Sequence, residues 1–146
     1  MTKKTTTKPE EKATDAKAVQ PPAAPAVSLK RKVEAGQLHV QSTYNNTKVL
    51  LADTKGNALA ASSSGALGFK GAKKGTPFAA AKVGEILGDK AKVIGIKEVQ
   101  VFVNGVGAGR ESSIRAFASK GVSISSIRDV TAVPHNGVKP KKPRRV

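Results

Sequence analysis

The hydrophobic pattern of the chain changes its period along the sequence, and the order of these periods restricts the fold most strongly. From Leu38 to Tyr44, apolar and polar residues alternate, as expected for a half-buried strand. Two more short strand patterns follow at 49–52 and 58–63, after the turn-forming residues Asn45-Asn46 and Lys55-Gly56-Asn57. Three consecutive strands joined by tight turns predict an antiparallel meander.

A helix pattern follows the meander. Thr76-Pro77 is typical of a helix start, with threonine as the N-cap and proline at the first helical position. Apolar residues then recur at helical spacing up to Ile94, and Gly95 is a preferred helix end. Gly84 and Gly88 lie inside the predicted helix, where each costs about 1 kcal/mol relative to alanine.

The remaining pattern is strand, helix, strand. Valines alternate at 96–103, a glycine-rich turn at 105–109 follows, and a second helix begins there and ends at Lys120-Gly121. The last strand, over 122–130, has a slip in its alternation at Ser125-Ser126, which predicts a β-bulge.

The predicted order is therefore βββαβαβ, which places the chain in the α/β class. A strand–helix–strand crossover requires parallel neighbours, whereas the opening meander is antiparallel. A mixed five-stranded sheet covered by two helices satisfies both conditions. We expect one globular domain over residues 36–132, with disordered basic segments on both sides: an extension over 1–35 and a tail over 133–146.

The extension has the composition of a disordered arm. It mixes threonines, lysines and acidic residues with four prolines and shows no apolar periodicity. No apolar segment of a secretory signal follows Lys3-Lys4, and the early acidic residues argue against an organelle transit peptide. The whole chain lacks an apolar run near the roughly 18 residues that a membrane helix needs.

The charge balance indicates a polyanionic partner. The formal net charge is +16, and residues 139–146 carry five basic residues and no acidic one. Such an excess favours binding to nucleic acid or to an anionic membrane surface. The absence of cysteine excludes disulfide scaffolds, cysteine-type zinc sites and thiol nucleophiles, and two histidines are too few for an all-histidine zinc site.

Three basic or glycine-rich segments are candidate binding elements. The first is a glycine-rich loop, 68–75, that contains Lys70, Lys73 and Lys74. Its glycines allow close approach to a phosphate and its lysines neutralise it, while Phe69 stacks on a base or anchors the loop. The alternative is a flexible, solvated hairpin. The segment 68–75 is not a Walker A loop, because it does not end in the Gly-Lys-Ser/Thr that this motif requires.

The second candidate is the turn Gly105-Val106-Gly107-Ala108-Gly109 with Arg110 at the start of the following helix. Three roles are open for it: a tight structural turn, presentation of Arg110 to an RNA phosphate at a helix N-terminus, or a dinucleotide site. The last is disfavoured, because G-x-G-x-G is one residue short of the dinucleotide motif and a meander precedes the unit.

The third candidate is the tail, in which prolines stiffen an extended basic backbone. Such a segment threads into an anionic partner, or else is a solvated solubility tail. Its five cations are Lys139, Lys141, Lys142, Arg144 and Arg145.

No arrangement of residues indicates catalysis, so we expect no catalytic residues, no metal site, no cofactor and no small-molecule substrate. Two other hypotheses remain. An RNA-processing nuclease would require carboxylates such as Asp53, Glu98 and Asp129 to converge on Mg²⁺. The other hypothesis is a free basic protein that binds DNA or a membrane surface.

Several ordered motifs carry a resemblance to a known family. They are Asn45-Asn46-Thr47, Gly56-Asn57-Ala58-Leu59, Gly75-Thr76-Pro77-Phe78-Ala79-Ala80, Gly109-Arg110-Glu111-Ser112, Ile114-Arg115-Ala116, Asp129-Val130-Thr131, Pro134-His135-Asn136-Gly137 and Lys142-Pro143-Arg144-Arg145-Val146. With this spacing the chain resembles bacterial small-subunit ribosomal protein eleven over about residues 36–146. The extension is outside the resemblance and inherits no role.

The resemblance implies a ribonuclease-H-like fold without nuclease activity, in a structural protein of the cytoplasmic ribosome and of translation. It implies a place on the platform of the small subunit, where such proteins bridge rRNA helices and help form the cleft for the Shine–Dalgarno region of mRNA. Small-subunit proteins seven and eighteen would be its neighbours, with no membrane contact. Carried over by position, the residues that would bind rRNA lie in the loop, at and after the glycine turn, and in the tail: Lys70, Lys73, Lys74, Arg110, Arg115, His135, Asn136, Lys139, Lys141, Lys142, Arg144 and Arg145.

The chain departs from the family pattern at two places. Val106 and Ala108 stand where the family usually has prolines, which leaves the unfolded turn less restricted while the glycines remain. Val138 stands where many members carry cysteine, which removes only a thiol.

Overall fold

The computed structural model describes residues 33–143 of the chain. Except for its last three residues, the predicted extension over 1–35 lies outside the described residues, and so do Arg144 and Arg145 of the tail. The described residues contain five strands and two α-helices in the predicted order βββαβαβ. Their bounds are β1 Ala35–Ser42, β2 Thr47–Asp53, β3 Ala58–Ser63, α1 Pro77–Ile94, β4 Glu98–Asn104, α2 Gly109–Ala118 and β5 Ser123–Asp129.

The five strands form one mixed sheet with the order β3-β2-β1-β4-β5. β1, β2 and β3 pair antiparallel, as expected for strands joined by tight turns. β4 lies parallel to β1 and β5 lies parallel to β4, because a helix crosses over before each of them. The predicted fold class is confirmed: the described residues form an α/β domain with a mixed five-stranded sheet and two helices.

The core lies on one face of the sheet. Alternate residues of β1, β2 and β4 are buried there, and α1 and α2 cover them with Val83, Leu87 and Phe117, which is fully buried. The opposite face carries the other residue of each alternating pair, and both helices leave it uncovered. Period-2 alternation in the strands is therefore the direct consequence of covering a single face.

The ends of α1 are as predicted. The Thr76 hydroxyl accepts a hydrogen bond from the Ala79 amide at 3.3 Å, and Pro77 occupies the first helical position. Gly95 has φ of 94° and ends the helix in the left-handed conformation. The predicted bulge in β5 is also confirmed, because Val99 pairs with Ile124 while Gln100 pairs with Ser126.

Several details differ from prediction, among them a longer β2 and a β4 that begins at Glu98. β1 ends at Ser42, because the Thr43 amide donates to the Asn46 carbonyl at 2.9 Å and closes a turn that leaves Tyr44 in solvent. α2 ends at Ala118, since the Lys120 and Gly121 amides donate to carbonyls only three residues back, at Phe117 and Ala118. The predicted loop contains a short 3₁₀ helix, Gly71–Gly75.

Candidate RNA-binding surface

Three parallel strands end side by side at one edge of the sheet, which we call the carboxyl edge. Gln41 near the end of β1 pairs with Asn104 of β4, and Val103 of β4 pairs with Asp129 of β5. The β1–β2 turn, the glycine turn at 105–109 and the start of the tail all continue from these strand ends. In open α/β sheets the carboxyl ends of parallel strands are the usual place for ligands.

The glycine turn packs directly against the end of β1. A Cβ atom at Gly105 would lie 2.1 Å from the Ser42 carbonyl oxygen, and one at Gly107 would lie 2.4 Å from the Thr43 carbonyl oxygen. The Gly107 amide donates to the Ser42 carbonyl at 2.9 Å. The glycines are therefore needed for close approach of backbone to backbone, and the geometry supports the tight structural turn among the three roles considered.

Arg110 holds the last strand to this turn. Its guanidinium donates to the Gly105 carbonyl and to the Asp129 carboxylate, so that the turn, α2 and β5 are connected through one side chain. Two of the five guanidinium N–H groups suffice for these contacts, and the side chain is 31% exposed. Binding of Arg110 to an RNA phosphate stays a prediction. The side chain would make that contact in addition to its structural hydrogen bonds.

The carboxylate of Asp129 accepts several hydrogen bonds at once. The Thr131 hydroxyl donates at 2.6 Å and the Thr131 amide at 2.9 Å, in addition to Arg110. The Thr131 hydroxyl bond, followed by the Arg110 bond, holds the pKa of Asp129 well below its ordinary value of 3.8. Because the folded pKa is lowered, this cluster stabilises the fold fully above about pH 4 and less as the pH falls below it.

We expect Asp129→Asn to lower the melting temperature at pH 7, because the amide keeps the shape but loses the charge that Arg110 faces. The difference from the unchanged protein should shrink steadily as the pH falls from 4 to 2, because the unfolded chain takes up a proton at Asp129 in this range while the folded carboxylate stays charged. Thermal unfolding followed by circular dichroism across this range measures it. A difference that stays constant from pH 7 to pH 2 would contradict the assignment. Asp53→Asn is the matched control, since Asp53 bonds Thr54 in the same way but has no arginine partner.

The glycine-rich loop at 68–75, which we call the lysine loop, lies beside the same edge. Gly75 sits so close to the β1–β2 turn that a Cβ atom there would lie 2.1 Å from the Tyr44 carbonyl oxygen. Lys70 and Lys73 are exposed and Lys74 is half-buried, and none of the three belongs to an ion pair within residues 33–143. The 3₁₀ helix and this contact give the loop a defined backbone, which disfavours the flexible hairpin.

The start of the tail is tied to the carboxyl edge. The Val130 amide donates to the Val103 carbonyl at 2.8 Å, and the Thr131 hydroxyl accepts from the Gly105 amide at 3.0 Å. Every residue described beyond Thr131 is exposed. These include the predicted RNA-binding residues His135, Asn136, Lys139, Lys141 and Lys142, while Arg144 and Arg145 lie outside the described residues.

The fold thus brings most of the predicted residues to one end of the molecule. The lysine loop, Arg110 and the beginning of the tail surround the carboxyl edge, and Arg115 lies exposed farther along α2.

Sequence reasoning missed the uncovered sheet face, where His39 stacks on Phe102 with ring centroids 5.1 Å apart, beside the exposed Lys48 and Arg128. The alternation in β1 and β4 indicates that both rings lie on the face opposite the core. It does not show that the two rings are adjacent, because this depends on the pairing of β1 with β4.

The carboxylates required by the nuclease hypothesis do not converge. Asp53 and Glu98 pair with Gly36 and Ala35 at the beginning of β1, whereas Asp129 lies at the carboxyl edge. The strand geometry separates the two ends by about 17 Å. Within residues 33–143 no three His, Asp or Glu side chains form a group that could hold a metal ion. Neither helix of this part of the chain is long and apolar enough to cross a bilayer.

Comparison with protein-family models gives a match over residues 36–145, to the model described as ribosomal protein S11. The matched range includes the whole sheet, both helices, the lysine loop and the tail up to Arg145. It begins where the predicted globular domain begins.

Proposed function

This chain belongs to the ribosomal protein S11 family, and we propose that it binds small-subunit rRNA through the carboxyl edge of its sheet and the basic tail. Family membership makes it a structural, RNA-binding protein of the small ribosomal subunit that acts in translation, and not an enzyme. The membership also places it in the cytoplasm, on the ribosome, with rRNA and other ribosomal proteins as partners.

The observation that carries the proposal is the grouping of uncompensated positive charge. Lys70, Lys73 and Lys74 extend from a structured loop beside the carboxyl edge, and the tail with its further lysines begins at the same edge. Cations without acidic partners are the groups that release counterions from a phosphate backbone. Because these cations are clustered at one end of the domain, they form a distinct binding surface.

The proposed mechanism is phosphate neutralisation combined with recognition of RNA shape. The folded domain, residues 36–132, presents the lysine loop in a fixed position, and the tail, residues 133–146, orders on the RNA as it binds. Arg110, Arg115 and the polar residues His135 and Asn136 add contacts to phosphate or ribose. Two binding elements on one protein suit the bridging of separate rRNA helices.

The finer place on the subunit follows from the resemblance and belongs to the same proposal. The protein would bridge rRNA helices of the platform and contribute to the cleft for the Shine–Dalgarno region of mRNA. Small-subunit proteins seven and eighteen would be its protein neighbours.

Charge removal from the lysine loop tests the site. We expect Lys70→Gln, Lys73→Gln and Lys74→Gln combined to reduce the slope of log affinity against log salt by about 2 to 3 for in vitro transcribed small-subunit rRNA. The matched control changes Lys55, Lys90 and Lys92 to glutamine, because these exposed lysines lie at the opposite end of the sheet and of α1. Equal effects of the two triple variants would contradict the proposed surface.

Sedimentation tests the assembly itself. The tagged full chain, expressed in cells and separated from lysate in moderate salt, is expected in the small-subunit fraction. Recovery outside that fraction would overturn the proposal.

A further inference from the structure

Two aromatic side chains stand in solvent beside the lysine loop. Tyr44 is 77% exposed and Phe78 is 65% exposed, although phenylalanine is among the residue types that proteins bury most often. Tyr44 lies in the β1–β2 turn and Phe78 in the first turn of α1, and the close contact between Gly75 and the Tyr44 carbonyl brings the two segments together. We call Tyr44 and Phe78 the aromatic pair.

Tyr44 is held by a turn with a defined backbone. Between Thr43 and Asn46, the Thr43 amide donates to the Asn46 carbonyl at 2.9 Å, and the Asn46 amide donates to the Thr43 hydroxyl at 3.1 Å. These bonds fix the backbone on both sides of Tyr44. An exposed ring on such a turn loses little backbone entropy when a ligand contacts it.

Phe78 is positioned by neighbours on two sides. Phe69 of the lysine loop contacts it edge-to-face with ring centroids 6.1 Å apart, and the Lys82 ammonium lies 6.0 Å from its ring centroid. Phe69 is half-buried, so it anchors the loop to α1, which is one of the two roles predicted for it. Even with these two neighbours, Phe78 remains 65% exposed.

The surroundings of the aromatic pair match a nucleic acid better than an apolar protein surface. The adjacent segments supply Lys70, Lys73 and Lys74 together with glycine, asparagine and threonine, so the two rings do not merge into a large apolar patch. Separate aromatic faces among unpaired cations are the arrangement by which proteins hold single-stranded RNA.

We propose that Tyr44 and Phe78 stack on unpaired bases of RNA, while the lysine loop neutralises phosphates of the same strand. This inference rests on the proposed function and deepens it, because it assigns this surface to single-stranded rather than helical RNA. Base stacking contributes binding free energy that salt does not screen, whereas the contribution of the lysine–phosphate contacts depends on salt.

Three RNA-type ligands of equal length separate the two contributions. They are a mixed-sequence 12-nucleotide RNA, an abasic strand with the same number of phosphates, and an RNA duplex. Tyr44 is the chain's only tyrosine and there is no tryptophan, so the intrinsic tyrosine fluorescence of the full chain reports on this ring alone. We expect the single-stranded RNA to quench it on binding, and the abasic strand and the duplex to leave it largely unchanged.

The variants Tyr44→Ala and Phe78→Ala are each expected to weaken binding of the single-stranded RNA by about 5- to 150-fold, the range measured for loss of one base–aromatic stack. Neither should change the salt slope or the affinity for the abasic strand. Tyr44→Phe should retain the affinity, because the ring is kept. Val93→Ala is the matched control, since Val93 is 90% exposed but lies about 22 Å farther along α1.

Equal affinities for the single-stranded and abasic ligands, with no effect of the two alanine variants, would overturn the stacking proposal and leave a protein neighbour as the occupant. That result is distinguishable from failure of the proposed function. In the latter case the lysine-loop variant and its control would bind small-subunit rRNA equally, whatever the aromatic pair does.

Discussion

Replacing Gly84 with alanine is expected to destabilise the protein by about 3 kcal/mol, the cost of overpacking a well-filled core. Helix propensity alone predicts the opposite, a gain of about 1 kcal/mol, because alanine is the better helix former. The structure reverses the sign, since α1 crosses α2 at this position. A Cβ atom at Gly84 would lie 2.3 Å from the Ser113 carbonyl oxygen and 3.2 Å from the Ala116 Cβ.

The clash cannot be relieved locally, because the nearest atoms are backbone of a packed helix. Urea denaturation of the full chain, followed by circular dichroism, measures the change in the free energy of unfolding. Gly88→Ala provides a graded comparison: its nearest contacts, at 2.6 and 2.8 Å, are side-chain atoms of Lys120, which can move. We expect a smaller loss there. A Gly84→Ala protein as stable as the original would show that the helices can separate without cost.

Removing residues 139–146 is expected to reduce the salt dependence of rRNA binding more than any other single change. Five cations are lost, so the slope of log affinity against log salt should fall by about 4. Between 50 and 200 mM salt, the full chain should therefore lose about 250-fold more affinity than the shortened one. Filter binding to in vitro transcribed small-subunit rRNA at several salt concentrations measures both slopes.

A second variant separates charge from chain length. Changing Lys139, Lys141, Lys142, Arg144 and Arg145 to glutamine keeps the prolines and the length, and it should reproduce most of the slope change. The stability of the folded domain should not change in either variant, because every described residue after Thr131 is exposed. An unchanged slope would mean that the tail is a solvated extension without phosphate contacts.

The order of secondary structure could be predicted because it depends on neighbours in sequence. Thr76-Pro77 and Gly95 mark the ends of α1 through local backbone chemistry, and the bulge at Ser125 appears directly as a slip in the alternation. Tyr44 was wrongly included in the first strand pattern, since alternation cannot show where a turn of hydrogen bonds interrupts pairing. Gly84 and Gly88 are unfavourable by helix propensity, but the close packing of α1 against α2 and the residues after it requires glycine at Gly84 and favours it at Gly88.

The candidate RNA-binding surface was likewise predictable in part from the sequence. Lys70, Lys73, Lys74 and the tail were identified from composition, because charge and glycine content are properties of a segment. The meeting of these segments at one edge depends on strands that are distant in sequence. The pairing of Arg110 with Asp129 is a contact across the end of a βαβ unit, and it gives a structural role to a residue first considered for RNA binding alone.

The α/β class, the order βββαβαβ, a polyanionic partner and the family resemblance could therefore all be predicted from the amino-acid sequence. All of these rest on local patterns and on net charge, which do not require knowledge of contacts. That the lysine loop, the glycine turn and the start of the tail share one edge follows from strand pairing between segments distant in sequence. The exposure of Tyr44 and Phe78 beside the lysines could not be predicted either, because exposure depends on which distant segments pack over a residue.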